Sequence, residues 1–296
     1  MWFKNLQVYR MTNWAMAPAA LEERLSNHAL QKCLSMEMQS RGWVFPKDEN
    51  GKFVHALGQD MLITLGIEKK LLPAAVINQL TKERASEIAR QQGFEPGRKQ
   101  IKDIKESVLV ELLPRAFALR RKTNAWIDPV GGWFVIDTSS TGKADEFIEV
   151  LFKTVDDVTL KPLKTNLSPA AAMTGWLSRN EVPASFTIDR QCELRGMDDE
   201  KATVSYIRHD LGAKEIGGHI QTGKEATKLA MTWRDKISFI LHENMQIKRI
   251  TPLDLLKEPA ETAEEQFDGD FTIMTGEFKQ LLADIIEVLN GEESNH

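Results

Sequence analysis

The order of short β-rich runs is the strongest constraint on how this chain can fold. WFKNLQVYRM near the amino end alternates large apolar with polar residues, and FVHAL is followed closely by DMLITLGIEK. RAFALRRKTNAWID and WFVID flank the turn PVGG, SFTIDRQCEL and ATVSYIRHDL flank RGMDDE, and ISFIL and QIKRI flank HENM. Alternating runs joined by short polar or glycine turns read as hairpins. Helical stretches interrupt them without a sustained βαβ alternation, which points to an α+β fold with mainly antiparallel sheet.

The helical stretches follow apolar spacing. Leu21, Leu25, Leu30 and Leu34 predict a helix over Ala19 to Met38, closing near Arg41 and Gly42. Pro73 suits a helix start, and the turn GFEPG separates a stripe at Val76, Ile77, Leu80 and Ile88 from one at Ile101, Ile104, Val108 and Leu112, so an αα-hairpin ending at Pro114 is expected. Further helices are expected around Asp145 to Lys153, from Ser168 to Leu177, through the segment after ATVSYIRHDL, and from Glu277 to Leu289 after a last strand DFTIM.

Charge divides the chain unevenly. The formal net charge is −5, which taken alone argues against a polyanionic partner. Yet Pro73 to Lys122 carries eleven basic against six acidic residues, while Asp254 to His296 carries twelve acidic residues against two lysines. The acidity is therefore concentrated at one end, and the middle can still present a basic face.

Hydrophobic residues at 42% and charged residues at 27% fit an ordinary folded protein. No run approaches the roughly 18 apolar residues of a membrane span, and Lys4 and Arg10 interrupt the apolar start, so neither a membrane segment nor a signal peptide is expected. The two cysteines, Cys33 and Cys192, are too few for a disulfide framework, and a cytoplasmic setting fits them.

Catalytic signatures are weak. Gly218, Gly223 and Lys224 have the spacing G-x-x-x-x-G-K of a phosphate loop, but Glu225 stands where Ser or Thr should hold magnesium. At helical spacing Ile216, Ile220, Ala226, Ala230, Trp233 and Ile237 share one face, which predicts an amphipathic helix running through Gly223, with Lys224 and Lys228 as a cationic edge one turn apart. The segment SSTGK, Ser139 to Lys143, follows a strand but has only Gly142 to form a cradle. The six histidines are scattered without metal-ligand spacing, and the acidic groups at Asp198, Asp199 and Glu200 and at Asp268 and Asp270 read first as solvated surface. No cofactor and no metal are expected.

Several stretches in order resemble the bacterial RdgC family: WFKNLQVYR, RGWV, LLPRAF, GKEATKLAMTW, IKRI and FDGDFTIMTGE. Their joint order covers essentially the whole chain. The resemblance implies horseshoe-shaped subunits with helical arms that join at both ends into a ring-shaped homodimer. It further implies sequence-independent binding of double-stranded DNA in the hole, no enzymatic activity, a nucleoid-associated location, and antagonism of the recombinase RecA. The corresponding units are 1–72 with 123–165 as a central β-rich part, 73–122 as a basic helical arm with a dimer contact, 166–245 as a second arm, and 246–296 packing back on the centre.

Expected DNA-backbone contacts are Arg98, Lys99, Lys105, Arg115, Lys224, Lys228 and Lys248, since phosphate neutralisation gives affinity without sequence preference. Phe117 reads either as a core residue or, through its likeness to the LLPRAF region, as an anchor inserted into a second subunit; Arg208 and His209 are candidates for the other subunit contact. Two rival readings remain: a nucleotide- or magnesium-dependent DNA enzyme using Lys224 or the acidic groups, and a protein–protein adaptor whose basic hairpin binds an acidic partner.

Overall fold

The computed structural model describes residues 2–47, 51–156, 158–212, 214–253 and 262–293. Parts of the expected loop KDENGK (48–50) and of the expected carboxy-terminal unit (254–261 and 294–296) lie outside them. The described residues form an α+β fold around one large antiparallel sheet of twelve strands.

β1 (Asn5–Thr12) is the strand on which the sheet turns. On one side it pairs with β6 (Trp133–Ile136), and beyond that come β5 (Ala118–Asp128), β4 (Asp60–Lys70) and β2 (Gln39–Val44), with β3 (Val54–Leu57) also on β4. On the other side Asn5 and Leu6 pair with Lys248 and Ile247 of β12 (Ile247–Pro252), and β7 (Thr159–Pro162) pairs with the end of β1. From β12 the sheet continues through β11 (Ile237–His242), β10 (Lys224–Trp233) and β8 (Phe186–Gly196) to β9 (Thr203–Ile207).

Helices cover the two faces unequally. α5 (Pro169–Arg179), α6 (Lys214–Gln221) and α7 (Ala263–Val288) share a core with Leu6, Leu62, Trp126, Leu229, Trp233 and Ile247. α1 (Pro18–Asn27) and α4 (Thr141–Thr154) bury Tyr9, Trp43, Ile63, Phe134 and Phe147 on the opposite face. That second core draws only on the β1 to β6 half. Over the β8 to β12 half, none of the cores formed by the described residues covers that same face.

The expected helix pair forms as α2 (Ala74–Gln92) and α3 (Arg98–Leu112), inserted between β4 and β5. Gly93 closes α2 in the left-handed region at φ 80°. The pair has a small core of its own in Ile77, Ala85, Ile104 and Val108, so it stands as an arm on the β4–β5 ladder. Pro114 ends α3 in a 3-10 turn, Leu113–Arg115.

Three expectations from spacing are corrected. The helix expected from Ala19 to Met38 stops at Asn27, because His28 and Leu30 exchange backbone hydrogen bonds with Trp43 of β2. Gly42 permits that approach: a Cβ there would lie 2.5 Å from the Leu30 backbone. The expected strand DFTIM lies inside α7, whose start carries a Thr262–Glu265 capping box and whose Phe271, Met274, Phe278 and Leu282 face the core at helical spacing.

The third correction concerns the long helix expected through Gly223. α6 ends at Gln221, Gly223 takes φ 88°, and Lys224 to Trp233 is the strand β10, paired on both sides. Ala226, Leu229, Met231 and Trp233 are buried as strand residues. Their apolar run also satisfied a helical period, and long-range pairing decided between the two. The order helix, glycine turn, strand is the reverse of a phosphate loop.

Candidate nucleic-acid interface

The reassignment of β10 changes where its lysines point. Lys224 pairs with Gly196 and Ala226 with Leu194, after which a bulge brings Lys228 opposite Glu193. Ala226 and Leu229 both enter the core beneath the sheet. Successive strand residues alternate faces, so the inserted residue Thr227 reverses the phase. Lys224 lies on the covered side at the strand's start and Lys228 on the open side, and the expected cationic edge of the two is not formed.

Lys228 joins other charges instead. Ser205, Glu193, Lys228 and His242 stand in one row across β9, β8, β10 and β11. In the next row Ile240 lies beside Lys248, which faces Asn5 of β1. Lys228, His242, Lys248 and Arg249, with Ser139 from the turn before α4, line a groove of about 400 Å³ on the open face.

The groove has a cationic character that its carboxylates only partly offset. Lys228 Nζ lies 2.6 Å from Glu193 Oε2, and Arg195 pairs with Glu243. Among the described residues no carboxylate pairs with Lys248. Its partial burial, then the charge of Lys228, lower its pKa from the usual lysine value. His242 is pushed down to about 4, first by burial and then by Lys248 and Lys228. A bound anion would relieve these repulsions.

The amino end of α4 opens beside this groove. Thr141, its first residue, accepts a hydrogen bond from Gln246 Nε2 at 3.0 Å, and Ser140 caps the helix without a side-chain bond to its free N–H groups. Helix amino ends favour anions. The SSTGK segment does therefore stand in a strand–turn–helix setting, and its position next to Lys248, which sequence spacing did not reveal, follows from the β1–β12 pairing.

The arm holds the other expected contacts. Arg98 and Lys99 open α3, and Lys105 lies two turns along from Arg98 on the same side, all exposed; Arg115 is exposed in the turn after α3. Arg98, Lys102 and Lys105 recur at helical spacing, making a basic stripe. Two cations in the first turn oppose the helix dipole, so this placement does not serve the helix itself. Arg84 is paired with Glu111, and Arg120 and Arg121 with Glu68 and Glu146, which spends much of the remaining basic excess within the fold.

Phe117 is not a core residue. It is 85% exposed between the 3-10 turn and β5, next to exposed Leu71 and Leu119. Arg208 follows β9 in the left-handed region at φ 56°, and the His209 ring stands 5.1 Å from that of Tyr206, next to the exposed Ile207. These residues lie on the arm's root and at the far strand edge, so the structure does not bring them together within one subunit.

The acidic groups weighed for magnesium are spread apart or engaged. Asp198 accepts from the Lys201 backbone in the turn after β8, and Asp268 carries both Lys47 and His55. Among the described residues no group of three or more His, Cys, Asp or Glu is placed to hold a metal ion. None of the described helices is long and apolar enough to cross a membrane.

Comparison with known proteins agrees over the full length. A family model described as "Putative exonuclease, RdgC" matches residues 1–292. Proteins named recombination-associated protein RdgC are 53% identical in Janthinobacterium sp. (strain Marseille), 52% in Herminiimonas arsenicoxydans and 49% in Bordetella pertussis, each match spanning 99% of both chains. By that end-to-end match the chain belongs to the RdgC family.

Proposed function

We propose that this protein binds double-stranded DNA without sequence preference, as a homodimer that closes a ring around the duplex, and thereby limits the action of the recombinase RecA in recombination and replication. The observation that carries the binding part is the open-face groove, where Lys228 and a partly buried Lys248, without a carboxylate partner among the described residues, face the same space. Such a groove suits phosphate, and contacts to phosphate alone carry no sequence information.

Ring closure rests on two sites at separate ends of the subunit, the exposed Phe117 at the root of the arm and the exposed Arg208 with half-buried His209 beyond β9. An exposed phenylalanine flanked by two leucines is what an aromatic anchor needs before its partner arrives. Occupancy is the mechanism: covered duplex is less available to the recombinase, no catalytic step is required, and residence on DNA places the protein at the nucleoid.

Mobility-shift titrations of unrelated duplex sequences across a salt series test this reading. Equal affinities that weaken steeply with salt are expected; no binding at low salt overturns it. The family description also names exonuclease activity. The same duplexes incubated with magnesium separate that reading, since release of nucleotides from their ends would establish catalysis instead.

A further inference from the structure

Glu193 occupies the position across from Lys228 that an incoming phosphate would need. Its Oε2 accepts from Lys228 Nζ at 2.6 Å, and its Oε1 accepts from Thr227 Oγ1 at 2.7 Å. The Thr227 contact comes from the bulge that turns Lys228 to the open face. Burial alone would push the Glu193 carboxyl up, but the Lys228 and Thr227 donors outweigh it and hold the pKa below its usual value. Glu193 is therefore an anion at neutral pH, fixed on one of the two groove lysines while Lys248 has no carboxylate partner among the described residues.

We propose that Glu193 is a built-in competitor of the DNA phosphate for Lys228, and that this carboxylate sets how tightly the groove holds duplex DNA. The proposal rests on the DNA-binding reading above. In the free protein the Lys228 ammonium is spent on Glu193. When DNA binds, a backbone oxygen takes the place of Glu193 Oε2 on Lys228, in the groove that Lys248 also lines. Part of the attraction is lost to breaking the internal pair, which keeps a non-specific contact weak and exchangeable.

Duplex titrations of the wild type, Glu193→Gln, Lys228→Ala and the double variant across a salt series test the idea. Glu193→Gln keeps the shape and an acceptor for Thr227, and is expected to bind about threefold more tightly, the size of a partly exposed ion pair, with a salt slope steeper by about one. In the Lys228→Ala background the same substitution should lose most of that gain. Thr227→Val, which frees Glu193 Oε1 without changing the net charge, should shift affinity the same way by less and serves if Glu193→Gln does not fold. A gain that persists undiminished without Lys228 reflects only the general field and overturns the proposal. Unchanged affinity in a protein that still binds DNA overturns it too, whereas failure of the wild type to bind duplex at low salt overturns the DNA reading itself.

Discussion

The backbone N–H of Leu71 donates to the carbonyl of Phe117 across 2.7 Å, extending the β4–β5 ladder by one step beyond the Lys70 and Ala118 pair. The bond holds an exposed aromatic ring at a fixed place rather than on a loose loop. Phe117→Ala should leave the chain folded, since the ring is 85% exposed, and on the proposed homodimer reading should weaken that dimer by roughly tenfold or more as an anchor residue does. Sedimentation equilibrium reads the change; an unaltered dimer removes the anchor role.

Lys228 and Lys248, rather than Lys224 and Lys228, are the pair to remove together. Replacing both with alanine should reduce the slope of log affinity against log salt by about two, while Lys224→Ala should change it much less. Duplex titration at several salt concentrations checks both outcomes.

His242 gives the stability a pH dependence whose sign is set. Its folded pKa of about 4 lies below the ordinary 6.5, so the unfolded chain binds the extra proton more readily. The stability contributed by the neutral ring is complete above about pH 6.5 and is lost as the pH falls toward 4. Urea unfolding at pH 7.5 and pH 5 should show a smaller loss on acidification in His242→Gln than in the wild type, and equal losses would contradict the assignment.

Gly42→Ala should destabilise the subunit by about 2 kcal/mol or more, because the new methyl meets the Leu30 backbone rather than a side chain that can swing away. Thermal unfolding measures it. By contrast Gly97→Ala, at the N-cap of α3 with open space around it and an ordinary φ of −70°, should cost only the cap preference of glycine over alanine, about 1 kcal/mol or less.

Hairpins bounded by clear turns were legible in the sequence: β5 with β6 around PVGG, β8 with β9 around RGMDDE, and β11 with β12 around HENM all form. So was the helical arm, whose turn residues and apolar stripes agree. Segments whose apolar residues satisfied two periods were not. Lys224 to Trp233 fitted a helical wheel, and DFTIM fitted a strand, until partners far along the chain settled each. The groove was legible only in part: Lys228 and Lys248 could be named, but His242, Ser139 and Glu193 join them through pairing between strands distant in sequence, which no local spacing encodes.

The narrow junction at Asn5 and Leu6 leaves the two halves of the sheet joined through few backbone bonds, and α7 is laid across it like a splint. Lys279 Nζ reaches Asp60 and Asp128 in the half that bears the arm, while Asp284, little more than a turn further on, accepts from Trp233 Nε1 in the half that bears the groove. Phe278, just before Lys279, packs against Phe3 and Trp126. The acidic end of the chain thus has a mechanical duty distinct from its charge: through side chains on both flanks α7 ties the half that bears the arm to the half that bears the groove, where the short β1–β12 ladder alone would be the link.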